Sequence, residues 1–192
     1  MFGKLKRAMM RSGNVQELYA MTVAQSRLPG FYGRGGIPDS VDGRFELLAL
    51  HMVAVLRALK SDEREVKLFA QELYDFMFHA MDVAMREDSV GDSGVSKRIR
   101  NLTESFSGRI VAYEKGLRLH EAGEGLEDEA DGLKAALRRN LLGTLSDEVV
   151  QEGQLEDFAA YFIALNDSLQ EQGRIALLEA RVTFPNADFP NG

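Results

Sequence analysis

The chain has 192 residues and a formal net charge of −7, with 45% hydrophobic residues, 28% charged residues and no cysteine. Its length allows one sizeable hydrophobic core, and its composition excludes a disordered chain as the default. The absence of cysteine excludes a disulfide framework, a thiolate metal site and a thiol nucleophile, and it fits a cytoplasmic location.

The first 13 residues form a basic segment ahead of the main domain. Its apolar residues Phe2, Leu5 and Met9 fall at helical spacing on one face. Four cations surround that face: Lys4, Lys6, Arg7 and Arg11. The pattern predicts a short amphipathic helix that contacts an anionic membrane or ribosomal surface. A frayed end is the alternative, because so short a helix is marginal alone.

Charge is divided unevenly along the chain. Residues 1–60 carry nine Lys and Arg against four Asp and Glu, whereas residues 61–192 carry fourteen against twenty-six. This division would orient the protein at an anionic surface, although the same charges also solvate two faces of one domain. The longest unbroken apolar run, 158–165, is much shorter than the roughly 18 to 20 residues that cross a bilayer. We therefore expect a cytoplasmic protein, at most peripheral at the inner face of the cell membrane.

Hydrophobic residues recur with helical periodicity through the rest of the chain, and no stretch shows sustained strand alternation. Asn14 is a candidate N-cap, Gly143 a candidate left-handed C-cap, and Pro185 marks the end of helical structure. We predict an all-α, single-domain, bundle-like fold over residues 14–184, with a flexible tail at 185–192. About seven helices are expected, near residues 1–13, 14–28, 42–60, 61–87, 95–120, 130–142 and 147–172.

A loop rich in glycine and proline at 29–39 leads into the most apolar helix, which we expect to be central and buried. Either Asp39 or Asp42 can cap that helix. The loop carries the adjacent aromatics Phe31 and Tyr32, and exposed aromatics beside a rigid helix are typical partner anchors. The predicted partner-binding residues are Tyr19, Arg27, Phe31, Tyr32 and Arg34.

Eight methionines give the chain material for an adaptable apolar surface, because Met side chains repack around irregular partners. Four of them lie on the two most apolar helices: Met52, Met77, Met81 and Met85. These positions follow the same stripe as Leu and Phe, which favours the core over a groove for a partner.

The sequence argues against catalysis and against a bound cofactor. His51, His79 and His120 lie within predicted helices, and no two have the i, i+4 spacing of a helical metal site. The glycines of the loop fit neither a phosphate-binding loop nor a dinucleotide fingerprint. The acidic run at 121–131 lacks calcium-loop spacing. We therefore expect no catalytic residue, metal or cofactor.

Three further patterns stand out: PGFYGRGGIPDSVDGRFELLALH at 29–51, MDVAMRE at 81–87 and VGDSGVSKRIRNL at 90–102. Together they resemble the ubiquinol-cytochrome c chaperone family, and the similarity extends from about residue 14 to residue 184. The motif residues in these segments are Asp39, Asp42, Gly43, Arg44, Phe45, Asp82, Arg86, Glu87, Gly91 and Asp92.

This resemblance implies a helical, non-catalytic assembly factor for the cytochrome bc complex, which binds newly made cytochrome b. Some members also associate with the ribosome, and mitochondrial members pair with a small partner subunit; specific DNA binding is not implied. The chain has no long Arg- and Ser-rich presequence, which favours a bacterial member. The alternative is an α-helical enzyme or carrier that binds a lipid or quinone in an apolar interior cavity, with a polar mouth near Tyr19 or Tyr32.

One ion pair can be proposed from the motifs. Arg44 lies one turn into the central helix, and Asp82, Arg86 and Glu87 end the next one. If these two helices run antiparallel, their ends meet. We expect Arg44 to pair with Asp82 or Asp39, and an arginine that faces solvent is the alternative.

Overall fold

A computed structural model describes residues 2–32, 36–88, 94–124, 132–143 and 152–187, with all their side chains except those of residues 2–8, 88 and 152. These residues contain six α-helices and no strand, which confirms the predicted all-α architecture. The helices are α1 Phe2–Ser26, α2 Val41–Ala58, α3 Arg64–Asp88, α4 Val95–Glu121, α5 Leu133–Asn140 and α6 Glu152–Leu178, with a 3₁₀ turn at Pro29–Phe31.

Helix α1 is one element where the sequence predicted two. It continues through residue 13 without a break, so Asn14, the predicted cap, lies inside it. The side-chain Nδ2 of Asn14 donates instead to the carbonyl oxygen of Leu178, at the end of α6, over 2.8 Å. The described residues therefore contain six α-helices instead of the expected seven.

Helix α2 lies at the centre of the fold, as its nearly continuous apolar sequence predicted. Thirteen of its eighteen residues are buried, and it packs against α1, α4 and α6. Around it, α1 packs against α3, and α5 contacts both α4 and α6. Burial of apolar surface contributes about 25 cal/mol for each Å² removed from water, so α2 supplies much of the stabilisation.

The start of α2 is capped by Ser40, and not by Asp39 or Asp42 as predicted. The Oγ of Ser40 accepts a hydrogen bond from the backbone N–H of Gly43 at 3.1 Å. Gly43 is itself buried against the incoming loop, because a Cβ at this position would lie 2.1 Å from the carbonyl oxygen of Pro38. A glycine is therefore required for the loop to approach α2 this closely.

Two other helix ends differ from their predictions. Gly143 follows the end of α5, but its φ is not positive, so it is not the predicted left-handed cap. Gly173 has a φ of 77° and interrupts α6 where the sequence predicted its end, and one more helical turn follows to Leu178. Helical structure therefore stops before Pro185, the residue predicted to end it.

Residues 181–187 have no regular secondary structure, but they are held against the loop. The carbonyl oxygen of Pro185 accepts a hydrogen bond from Nε2 of Gln25 at 2.8 Å. Ala187 is buried beside Gly30, where a Cβ would lie 2.0 Å from the Ala187 carbonyl oxygen. The remaining residues of the predicted tail, 188–192, lie outside the described residues.

Candidate functional site

One end of the bundle brings together parts of the chain that are distant in sequence. Here α1 ends, the loop enters α2, α3 ends and α4 begins. Arg98 near the start of α4 reaches Asp42 near the start of α2, with 3.7 Å between Nη2 and Oδ1. The three sequence patterns at 29–51, 81–87 and 90–102 therefore meet at this end of the fold.

Between these helices lies an open groove with a volume of about 300 Å³. We call it the groove. All four of the helices that meet at this end contribute to it. Its lining residues are Tyr19 and Val23 of α1, Arg27 directly after α1, Val41, Asp42, Arg44, Phe45 and Leu48 of α2, Ala80, Met81, Ala84 and Met85 of α3, and Arg98 and Leu102 of α4.

The α3 wall of the groove combines methionines with small residues. Met81 and Met85 lie one helical turn apart and are half-buried, and Ala84 beside them is exposed. The sequence favoured core positions for the methionines of α2 and α3. This holds for Met52 and Met77, which are 0% and 1% exposed, whereas Met81 and Met85 line the groove.

Three arginines lie at the rim of the groove, and all are exposed: Arg27, Arg44 and Arg98. Burial raises the pKa of the Tyr19 hydroxyl, and the nearby Arg27 acts in the opposite direction. Asp42 is the one acidic residue among the described lining residues, so this rim carries a net positive charge. An apolar floor with a cationic rim suits apolar side chains that adjoin an anionic or carbonyl group.

Arg44 pairs with Asp39, one of the two acidic residues predicted for it. The Nε–Oδ1 distance is 2.5 Å and the Nη2–Oδ2 distance is 3.1 Å. The hydrogen bond from Arg44 lowers the pKa of Asp39 and raises that of Arg44. Because both side chains are more than half exposed, the pair orders the loop more than it stabilises the fold. Asp82, the other candidate, accepts from Arg86 on its own helix at 2.7 Å.

Beside the groove, the loop forms a second opening of about 540 Å³, which we call the loop cleft. Its lining residues are Arg27, Pro29, Tyr32, Asp39 and Arg44. The hydroxyl of Tyr32 donates to the carbonyl oxygen of Ser26 at 3.0 Å. Burial raises the pKa of Tyr32, and the charge of Asp39 acts in the same direction. The structure thus places Tyr19, Arg27 and Tyr32 on one continuous surface.

Phe31 does not belong to this surface, contrary to the prediction. It is 0% exposed, and its ring packs edge-on against His51 and Tyr161, with centroid distances of 5.3 and 4.9 Å. The 3₁₀ turn Pro29–Phe31 folds the loop back over the bundle, which directs this side chain into the core. Phe31 therefore anchors the loop from inside, and Tyr32 beside it is half-buried at the surface.

Arg11, which was predicted to face an anionic surface, is bound within the bundle. Its Nε lies 2.8 Å from Oε2 of Glu72, and its Nη1 lies 3.4 Å from Oε2 of Glu65. The hydrogen bond to Glu72 is the largest cause of the raised pKa of Arg11. The ion pairs of Arg11 with Glu72 and Glu65 therefore connect α1 to α3.

Some predicted site residues cannot be placed on this surface. Those outside the described part of the chain are Arg34, Gly91 and Asp92, together with the side chains of Lys4, Lys6 and Arg7. Asp82, Arg86 and Glu87 lie on α3 but do not line the groove. Conversely, Met81, Met85 and Arg98 line it, although none was among the predicted partner-binding residues. The sequence offered Met81 and Met85 as adaptable side chains but favoured the core for them, and only its position inside the third sequence pattern pointed to Arg98.

A buried ion pair lies behind the groove floor and connects α2 to α4. The guanidinium of Arg109 donates two hydrogen bonds to the carboxylate of Glu46, and the Nε–Oε2 distance is 2.6 Å. Burial raises the pKa of Glu46, while the hydrogen bond from Arg109 opposes that shift. The guanidinium also lies 5.4 Å from the centroid of the Phe45 ring. The pair therefore positions an aromatic residue of the groove.

A hydrogen-bonded chain crosses the core nearby. The Nε2 of Gln25 donates a hydrogen bond to the Tyr161 hydroxyl at 3.0 Å. The same hydroxyl lies 2.8 Å from Nε2 of His51. The Nδ1 of His51 lies 2.7 Å from the Leu47 carbonyl oxygen. Because a carbonyl only accepts, Nδ1 carries the proton and Nε2 accepts from Tyr161. His51 is thus a packed residue, as the sequence indicated.

Burial lowers the pKa of His51 from 6.5 to about 4, which predicts a loss of stability in acid. A lowered native pKa contributes stability that is complete above pH 6.5 and is lost as the pH falls towards 4. We expect this side chain alone to cost about 3 kcal/mol of unfolding free energy between pH 7 and pH 4. Urea unfolding at several pH values measures it.

The matched variant is His51→Gln. The difference between the wild-type and variant curves isolates this histidine, because the other titrating groups are shared. The curve for His51→Gln should be flatter than that of the wild type. Parallel curves for His51→Gln would contradict the prediction.

The described lining residues of the groove contain no histidine, serine or threonine. Among the described residues as a whole, no three His, Asp or Glu side chains are grouped to hold a metal ion. No helix in the same residues combines the length and apolarity needed to cross a bilayer.

Comparison with known proteins gives consistent matches over most of the chain. Residues 34–184 match the family model described as Ubiquinol-cytochrome C chaperone. The chain is 25% identical over 169 residues to ubiquinol-cytochrome-c reductase complex assembly factor 1 of Xenopus laevis, covering 87% of this chain and 78% of that protein. It is 23% identical over 164 residues to the Mus musculus protein of that name, covering 85% of this chain and 52% of the mouse protein. The chain therefore spans about half the length of the mouse relative.

A solved structure resembles the whole fold. The crystal structure of the Cbp3 homolog from Brucella abortus matches with a TM-score of 0.78 and 30% sequence identity, covering 98% of both chains. The resemblance that the sequence patterns suggested is therefore confirmed at the level of both sequence and fold.

Proposed function

The chain belongs to the ubiquinol-cytochrome c chaperone family, and from this membership we propose that it binds newly made cytochrome b, or a related membrane subunit, in the groove. In doing so it promotes assembly of the ubiquinol-cytochrome c reductase complex. The role is one of binding without catalysis.

The observation that carries this proposal is the position of the groove. The three sequence patterns that resemble the family are separated along the chain, yet residues from all of them line it: Phe45 and Leu48, Met81 and Met85, Arg98 and Leu102. A packing role alone would not require them to surround an open space. Functional residues, in contrast, must converge on whatever they bind.

The dimensions of the groove favour one mode of client binding. A volume of about 300 Å³ holds a few large side chains and is too small to enclose a helix. A client helix would therefore lie across the opening and insert side chains from one face, at i, i+3 and i+4 spacing. The flexible thioethers of Met81 and Met85 adapt to such side chains, and the arginines at the rim bind the polar groups that flank an apolar helix.

The alternative of a lipid or quinone carrier requires an enclosed apolar cavity. The groove is open along its rim, which suits a polypeptide better than a small apolar molecule. Analysis of the lipids and quinones extracted from the purified protein distinguishes a lipid or quinone carrier from a protein that binds a polypeptide. A stoichiometric quinone or lipid in place of a polypeptide would favour the carrier.

The proposed function is tested by deleting the gene in the organism that encodes it. We expect the haem b absorbance of the bc complex to fall strongly in membranes, and to return when the gene is restored. A tagged copy of the protein should recover cytochrome b from detergent extracts. Unchanged haem b absorbance in the deletion strain would contradict the assembly role. A contact with the ribosome, if it forms, should weaken with added salt.

A further inference from the structure

Two hydrogen-bond donors of the groove have no acceptor among the described residues. Tyr19 and Arg27 both line the groove, and neither the hydroxyl nor the guanidinium makes a hydrogen bond or an ion pair within the described part of the chain. The ring of Tyr19 is held by an edge-on contact with Phe76, at a centroid distance of 5.3 Å. This contact positions the hydroxyl at the groove, where an acceptor from a bound molecule can reach it.

The two donors lie close to each other. Burial raises the pKa of the Tyr19 hydroxyl, and the positive charge of Arg27 acts against that shift, which places the guanidinium near the hydroxyl. Arg27 also lines the loop cleft. It therefore lies at the border between the groove and the loop cleft, with Tyr19 on the groove side.

The charge of Arg27 is unmatched, in contrast to the other two arginines of the rim. Arg44 pairs with Asp39 at 2.5 Å, and Arg98 lies 3.7 Å from Asp42. Each of these pairs has no net charge. Among the described residues that line the groove and the loop cleft, no further acidic residue balances Arg27. A group bound at this point therefore gains from a negative charge as well as from acceptor oxygens.

We propose that Tyr19 and Arg27 bind an acidic side chain of the client, one helical turn beyond the apolar side chains that enter the groove. This inference rests on the proposed function and adds the chemistry that the client must offer. A carboxylate has two acceptor oxygens, so it accepts from the guanidinium and from the hydroxyl at once. A backbone carbonyl would accept a hydrogen bond but would not balance the charge.

The position of the acidic residue follows from the position of Arg27. Because Arg27 borders both openings, the carboxylate belongs where the client helix leaves the groove and passes towards the loop cleft. Residues on one face of a helix recur at steps of three and four. The recognised partner is therefore an apolar helix face that ends in a glutamate or an aspartate.

Synthetic helical peptides with amidated ends test this proposal. The first peptide carries leucine at i, i+4 and i+7 and glutamate at i+11, on the same face. The second carries glutamine at i+11, and the third carries its glutamate at i+9, on the opposite face, so its charge equals that of the first. Fluorescence anisotropy with the full chain at physiological salt measures the dissociation constants. The wild type should bind the first peptide about tenfold more tightly than the other two.

Three variants of the chain assign this preference to the two donors. Arg27→Gln should bind all three peptides alike, because it removes the charge that distinguishes them. Tyr19→Phe keeps the ring and loses the hydroxyl, so it should bind the first peptide about fivefold more weakly and the second unchanged. The control Arg100→Gln removes a charge from an exposed position outside both openings and should behave like the wild type.

Three results would overturn the proposal. They are equal affinity of the wild type for the three peptides, failure of all three to bind, and a loss of affinity in Arg27→Gln that is the same for the first and second peptides. The last result would show that Arg27 only supports the end of α1. The measurement of haem b absorbance in the deletion strain uses no peptide, so it decides the proposed function separately.

Discussion

Replacing Arg109 by methionine is expected to reduce the free energy of unfolding by about 3 to 5 kcal/mol. The change leaves the Glu46 carboxylate without its guanidinium in a site where that side chain is 5% exposed. A buried charge without a partner is far less favourable than the intact pair. Urea unfolding at pH 7 measures the loss. Single domains have about 5 to 15 kcal/mol of stability in total, so the loss is a large part of it.

The same variant should recover stability in acid. Without Arg109, the native pKa of Glu46 rises further above its unfolded value, so the native state takes up a proton more readily. Because the native pKa is raised, the loss of unfolding free energy relative to the wild type grows as the pH increases. It shrinks as the pH falls below that pKa. A deficit that is equal at pH 5 and pH 8 would contradict the assignment of the cost to an unpaired carboxylate.

Two controls separate the buried pair from charge loss in general. The double variant Glu46→Leu, Arg109→Met removes both charges and should recover most of the lost stability, because replacing a whole buried pair by apolar residues is often close to neutral. Arg44→Gln breaks the exposed pair with Asp39 and should change stability little. A double variant as unstable as Arg109→Met would show that packing, and not the unpaired charge, sets the cost.

Filling the groove should remove most of the client binding without unfolding the protein. Ala84 lines the groove and is exposed, so tryptophan at this position occupies the groove without entering the core. Blocking a central anchor position at an interface typically costs 2 kcal/mol or more. This corresponds to roughly thirtyfold weaker binding. Recovery of cytochrome b with the tagged Ala84→Trp protein measures the effect.

The chain offers a closely matched control for that change. Val83 precedes Ala84 on α3, is 41% exposed and does not line the groove. Val83→Trp therefore adds a similar bulk to the same helix on another face. We expect Val83→Trp to recover cytochrome b like the wild type, and both variants to unfold at similar urea concentrations. Equal loss of cytochrome b with both variants would show that the groove is not the binding site.

The positions of the helices could be predicted from the sequence because each helix has a strong apolar stripe. The predictions of the helix caps were wrong, because the same residue types can also form other hydrogen bonds. Asn14 is of a residue type that often caps helices, but a cap is needed only where a helix begins. Here α1 continues and the amide of Asn14 bonds to Leu178 instead. Similarly, Asp39 and Asp42 were the expected caps of α2, whereas Ser40 takes that role and leaves Asp39 to bind Arg44.

The site was predicted only in part, because apolar patterns do not distinguish a core from a groove. The stripe of α3 begins with core residues and ends with Met81 and Met85 at the groove, and no change in spacing marks the transition. Phe31 was expected at the surface because it lies in a loop, but that loop folds back onto the bundle. Glu46 and Arg109 are 63 residues apart, and pairings at such a distance leave no local signal in one sequence.

Photo-crosslinking in living cells tests most directly whether the groove receives the client. A photoreactive phenylalanine analogue replaces Met85 in the groove, and in a second strain it replaces Val111, which is 68% exposed on α4 and outside the groove. On irradiation, we predict a covalent adduct with cytochrome b from position 85 and none from position 111. Adducts of equal yield from both positions, or none from position 85 while cytochrome b still co-purifies, would contradict the assignment of the groove as the binding site.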